Sequence, residues 1–118
     1  MITLLVEDDP GVRRVVRSML QQIGCVVREA ADGQQALEAV KCAQPDVVIL
    51  DLLLPTVSGL EVLERLQPTG VPVVTMTGSI FPDAALRERG AREILRKPFS
   101  MRDLRRAIEA ATNRRTGS

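Results

Sequence analysis

Four consecutive apolar residues, Val47, Val48, Ile49 and Leu50, stop abruptly at Asp51. Side chains along a strand alternate between two faces, so a strand that is apolar throughout must be covered on both sides. Parallel sheets meet that condition, because the helices of their crossover connections lie on both faces. Residues 3–6, ending at Glu7, Asp8 and Asp9, and residues 73–77, ending in Thr77, are near-continuous apolar runs of the same kind. Further strands are expected over residues 25–30 and, briefly, 93–96, the last broken by Lys97-Pro98.

Helix-period segments fill the intervals. Pro10 suits a first helical position, where no N–H is needed, and Asp8 or Asp9 is available as the cap. Val12, Val15, Val16, Met19, Leu20 and Ile23 follow at helical spacing, and Gly24 ends that helix. Asp32 and Gly33 open a second helix to about Lys41, and residues 60–66 form a third. Pro82 begins a short fourth ending near Gly90, and Ser100 caps a fifth with Met101, Leu104, Ile108 and Ala111 on one face. Five strand–helix repeats predict an α/β, doubly wound, five-stranded parallel sheet of order 2-1-3-4-5, a flavodoxin-like three-layer sandwich. The 118 residues suffice for one domain, residues 1–112, with a polar tail over 113–118.

Composition removes several classes of function. A net charge of +1 gives no general attraction to nucleic acid or anionic membrane. No apolar stretch reaches transmembrane length, acidic residues arrive too early for a signal peptide, and a cytoplasmic protein is expected. The chain has no His, which rules out His metal sites, His general bases and a phosphohistidine of its own. Cys25 and Cys42 are far apart with no C-x-x-C, and read as reduced thiols.

In sheets of this topology, ligands bind beyond the carboxyl ends of the strands, where the strand order reverses between the first and third. That edge would collect Glu7, Asp8, Asp9, Asp51, Thr77 and Lys97. Taken singly, each has an ordinary reading: the acids as caps, Thr77 as a strand end, Lys-Pro as a solvated turn. Together they form a carboxylate cluster that like-charge repulsion makes costly without a cation. An all-oxygen set points to Mg²⁺, or Mn²⁺, rather than zinc. Asp51 is the candidate nucleophile toward phosphorus. Lys97, the Thr77 hydroxyl and backbone amides would neutralise the phosphoryl oxygens.

On these residues the chain resembles the receiver domains of two-component response regulators. The matching pieces are LLVEDDPGVRRVV, ILDLLLPTVSGLEVL, VPVVTMTG and GAREILRKPF, spread over residues 2–111. The resemblance implies a CheY-like phosphoacceptor switch, with Asp51 phosphorylated and Thr77 and Lys97 completing the catalytic set. It implies a metal set of Glu7, Asp8, Asp51 and the Leu53 carbonyl, with the acidic pair aligned by the arginine of PGVR and Asp9 as the fallback. It also implies a cis Lys97-Pro98 bond. The domain would catalyse only its own phosphorylation and dephosphorylation and is not an enzyme in the ordinary sense. Its partners would be a histidine kinase or histidine phosphotransfer protein and a downstream protein target, with no direct nucleic acid or membrane contact and a monomeric or weakly dimeric state.

Three departures concern output. Ile94 stands where the family usually has an aromatic switch residue, the segment between Thr77 and Gly90 is short, and the third helix and its exit loop look trimmed. By the same resemblance, Leu53 and Ser79 fall at the positions that gate water in the family, and the apolar Leu53 predicts slow self-dephosphorylation. Arginines at 87, 89, 92, 96, 102, 105 and 106 mark the usual output face and would suit an acidic partner, or are solvated helix charges. The chain stops after its fifth helix, which fits a single-domain regulator; a receiver excised from a hybrid kinase or larger regulator, and a phosphorylation-independent interaction module, are the alternatives. A haloacid-dehalogenase-type phosphatase would want an acid where Leu53 stands, and a flavin-binding protein would want an aromatic residue to stack on the ring.

Overall fold

The computed structural model describes residues 1–78 and 81–113. Five strands alternate with five α-helices: β1 (Ile2–Val6), α1 (Pro10–Ile23), β2 (Val26–Ala30), α2 (Gly33–Cys42), β3 (Val47–Asp51), α3 (Gly59–Leu66), β4 (Val73–Thr77), α4 (Asp83–Glu88), β5 (Glu93–Arg96) and α5 (Met101–Asn113). A 3₁₀ turn over Gln67–Thr69 follows α3. All pairings are parallel and the sheet order is β2-β1-β3-β4-β5, as expected.

The alternation of strand side chains divides the core in two. Leu4, Val6, Val48, Leu50 and Val73 pack against α2, α3 and α4 through Ala36, Val40, Val62, Leu63, Leu66 and Leu86. Leu5, Val47, Ile49, Val74, Met76 and Leu95 face α1 and α5 through Val16, Leu20, Leu104, Ala107, Ile108 and Ala111. Every residue of β3 is buried, as its unbroken apolar run requires.

Element ends follow local hydrogen bonding. Asp9, rather than Asp8, caps α1, its Oδ1 accepting from Gly11 N at 2.8 Å and Val12 N at 3.1 Å. Gly24 takes φ 104° and ends the helix. The Gly24 and Cys25 amides then bond Gln21 O and Leu20 O, so Cys25 belongs to the helix exit and β2 begins one residue later than expected. Val15 is 60% exposed, because the buried stripe of α1 runs through Val16 and Leu20 and leaves it on the flank. Pro82 is the residue before α4 rather than its first, and α4 has only six residues. Ser100 and Asp103 cap α5 reciprocally: Asp103 N donates to Ser100 Oγ and Ser100 N to Asp103 Oδ2. The Ser100 amide holds the Asp103 carboxyl below its ordinary range. Helix α5 continues through Asn113, one residue into the segment read as tail; residues 114–118 lie outside the described residues.

Candidate functional site: an acidic pocket at the sheet's carboxyl edge

Parallel strands deliver their last residues to one edge. In the register Val6 lies beside Leu50, Asp51 beside Met76, and Thr77 beside Arg96. Glu7 follows β1 and Lys97 follows β5, so Glu7, Asp51, Thr77 and Lys97 share that edge. The connections leave β1 and β3 toward opposite faces, α1 to one and α3 to the other, and open a crevice between them.

Asp51 is 3% exposed and Glu7 2%. Asp8 is exposed at the mouth of the crevice. Glu7, Asp8 and Asp51 each offer a carboxylate oxygen, and these oxygens lie within 4.8 Å of one another. Lys97 Nζ lies 3.4 Å from Asp51 Oδ2 and 3.8 Å from Glu7 Oε1. Asp51 Oδ1 accepts from Leu53 N at 3.1 Å, which turns the chain away from β3 and leaves the Leu53 side chain 74% exposed. Thr77 is buried at the end of β4, and its carbonyl accepts from Lys97 N at 2.9 Å, holding the β5 exit against β4. The Lys97-Pro98 bond is cis. Ser79 lies outside the described residues.

One lysine does not compensate two buried carboxylates. Glu7 is pushed up to about 7, first by burial and then by its hydrogen bond to Asp51 and that residue's charge; Asp9 N and Lys97 act in the opposite sense. Its Oε2 accepts from Asp9 N at 3.2 Å, while its Oε1 is buried with no hydrogen-bond partner among the described residues. A buried carboxylate oxygen with no hydrogen-bond donor, facing the Lys97 ammonium at 3.8 Å and set beside two further carboxylates, belongs to a donor set for a hard cation. Asp9 is engaged at the helix cap and stands outside the cluster.

The acidic loop is also held from outside. Arg13 of α1 donates from NH1 to Glu7 O at 2.9 Å, and its Nε lies 3.3 Å from Glu29 Oε1 on β2. Arg17, one turn further, reaches Glu29 Oε2 at 3.1 Å. Sequence reasoning uses Arg13 only to align the acidic pair and does not reach Glu29, because their meeting depends on how α1 docks beside β2. The i, i+4 spacing of Arg13 and Arg17 was the available signal.

On the β5 side, four of the seven arginines bond within the fold. Arg87 lies 3.7 Å from Glu93 Oε2, Arg89 3.2 Å from Glu64 Oε1, and Arg96 2.5 Å from Asp83 Oδ1, while Arg92 donates to Ala111 O. Arg102, Arg105 and Arg106 are exposed on α5. Ile94 is half-buried and packs on the core beneath α2, α3 and α4.

Fold and site together define the receiver class: a five-stranded doubly wound sheet with a buried aspartate, an acidic pair and a lysine at its switch point. Residues 3–109 match the family model described as the response regulator receiver domain, and the chain belongs to that family. It is 36% identical over 117 residues to the response regulator MprA of Mycolicibacterium vanbaalenii, covering 96% of this chain and 51% of that protein. The chain thus spans about half the length of the curated relatives it matches. The chemotaxis protein CheY4 of Vibrio cholerae superposes with a TM-score of 0.84 at 28% identity, covering 93% of this chain and 97% of that one. The receiver domain of the sensor histidine kinase PA1611 of Pseudomonas aeruginosa superposes with a TM-score of 0.87 at 26% identity, over 95% and 97% of the two chains, and that structure holds a magnesium ion in its active-site cleft. No helix among the described residues is long and apolar enough to cross a membrane.

Proposed function

We propose that the domain is a phosphoacceptor switch in which Asp51 takes a phosphoryl group from a histidine kinase or histidine phosphotransfer protein. The observation that carries this reading is the buried Asp51 carboxylate, with Oδ1 held by Leu53 N and Oδ2 toward Lys97 Nζ, beside two further carboxylates. The Asp51 carboxylate attacks phosphorus, an acyl–phosphate bond forms, and the N–P bond of the donor histidine breaks. Lys97 and the Thr77 hydroxyl stabilise phosphoryl oxygens, a task that is mostly positioning and charge neutralisation. Glu7, Asp8, Asp51 and the Leu53 carbonyl would hold Mg²⁺, or Mn²⁺, which when bound supplies neutralisation of a further phosphoryl oxygen.

The chain modifies itself and turns over no external substrate. Residues 1–112 form the receiver proper, working in the cytoplasm as a monomer or weak dimer and signalling by protein contact without touching nucleic acid or membrane directly. Arg102, Arg105 and Arg106 are the basic groups available to an acidic partner.

Intact mass after incubation with acetyl phosphate tests the reading. One phosphoryl adduct is expected, dependent on Mg²⁺ and absent from Asp51→Asn. Folded protein that gains no adduct would favour a phosphorylation-independent interaction module.

A further inference from the structure

The geometry points to Arg13 as a positioning residue for the cation site, acting from outside the carboxylate cluster and itself aimed by Glu29; the inference rests on the phosphoacceptor reading. Three elements meet at this guanidinium. It belongs to α1, it bonds the carbonyl of Glu7 in the β1–α1 loop at 2.9 Å, and it pairs with Glu29 of β2 at 3.3 Å. Arg17 holds the second oxygen of Glu29 at 3.1 Å, so the carboxylate is gripped from two sides.

The bond to Glu7 O acts on the peptide plane between Glu7 and Asp8. That plane sets how the Glu7 carboxylate enters the buried pocket and where the Cα–Cβ bond of Asp8 points. Asp8 is exposed, so the backbone has the larger share in placing its carboxylate. Cation affinity depends on preorganised donors, and partners that orient ligands commonly contribute about 10-fold or more. A lysine cannot replace the group: it has one point of charge, whereas the planar guanidinium spans Glu7 O and Glu29 at once.

The sign of the effect separates positioning from plain electrostatics. Arg13 is a cation beside an anionic site, so deleting its charge should by Coulomb's law tighten Mg²⁺ binding. Loss of positioning should weaken it.

The experiment is a calorimetric Mg²⁺ titration of the full chain, with a melt of each protein without metal as the check on folding. Arg13→Ala is expected to weaken Mg²⁺ binding about 10-fold. Arg13→Lys, with charge retained, is expected to weaken it in the same direction. Glu29→Ala should weaken binding in the wild-type background and have little effect in the Arg13→Ala background, since it acts through Arg13. In acetyl phosphate kinetics the half-saturating Mg²⁺ concentration should rise while the rate at saturating Mg²⁺ stays within about 2-fold of wild type. Unchanged or tighter Mg²⁺ binding in a folded Arg13→Ala overturns the inference; if that variant does not fold, wild-type affinity in Arg13→Lys overturns it. A wild-type chain that binds no Mg²⁺ overturns the phosphoacceptor reading and this one with it, whereas wild-type binding with unaffected variants removes this one alone.

Discussion

Lys97 Nζ sits 3.4 Å from Asp51 Oδ2, at the ends of two strands that are not neighbours in the sheet. The contact spans β4 and depends on Lys97 N being held to Thr77 O. It is the main charge compensation for a carboxylate that is 3% exposed. Lys97→Met should therefore lower stability at neutral pH without metal, by about 1–2 kcal/mol, because Lys97 itself is one-third exposed and water screens part of the interaction. Urea melts of both proteins in the presence of chelator would check this; an unchanged midpoint would mean that Asp51 needs no counter-charge.

Glu7 gives the metal-free protein a characteristic pH dependence. Its folded pKa is raised to about 7 from an ordinary 4.5, mainly by burial. Between those values the folded state binds more protons than the unfolded state, so stability falls as pH rises through the interval. Tm in chelator should decline from about pH 5 to about pH 7.5. Glu7→Gln should flatten that decline and leave the variant more stable than wild type above neutrality. A wild-type Tm that climbs over the same range would show Glu7 already ionised.

Millimolar Mg²⁺ should raise Tm by several degrees at pH 7.5 and chelator should reverse the rise, since a ligand that binds only the folded state stabilises it by mass action. Asp8→Ala should abolish the response at a cost of under about 0.5 kcal/mol in metal-free stability, because Asp8 is exposed. A melting curve indifferent to both metal and chelator would count against a cation site.

Leu53 leaves its side chain 74% exposed at the mouth of the pocket and offers no group to orient an attacking water. The phosphorylated protein should lose its phosphoryl group slowly. Leu53→Asn should shorten the half-life, by about 10-fold if the amide positions water as a general catalyst does. Intact mass followed over time after removal of the donor would report it, and an equal half-life in the two proteins would leave Leu53 without that role.

Gly59 opens α3 directly against the loop that leaves Asp51. A Cβ there would lie 2.4 Å from Leu52 Cα and 2.6 Å from Leu52 O, both backbone atoms, so the helix or the loop would have to shift. Gly59→Ala should cost about 3 kcal/mol or more through overpacking, and should disturb Asp51 through its neighbour Leu52. Gly70→Ala, with open space around it, should cost only the strain of its positive φ. Equal denaturation midpoints in the two variants would mean that the loop yields.

Much of this protein was legible before folding. Near-continuous apolar strands require cover on both faces, so β1, β3 and β4 alone implied a parallel sheet between two helical layers. Strand ends then placed Glu7, Asp51, Thr77 and Lys97 at one edge, because a parallel sheet has only one carboxyl edge. The short α4 was visible in Pro82 and Gly90, and the capping of α5 in Ser100; the reciprocal bond from Asp103 came with the structure. Long-range packing decided the rest. Asp9 and Glu7 are equivalent acids as letters; the helix cap took Asp9 and left Glu7 in the pocket, where burial raised its pKa. Four of seven arginines on one face bond to partners on other elements. Arg13 and Glu29 met only because α1 crosses beside β2. A side chain's role at this edge depends on desolvation and on partners distant in sequence, and both exist only once the helices have docked on the sheet.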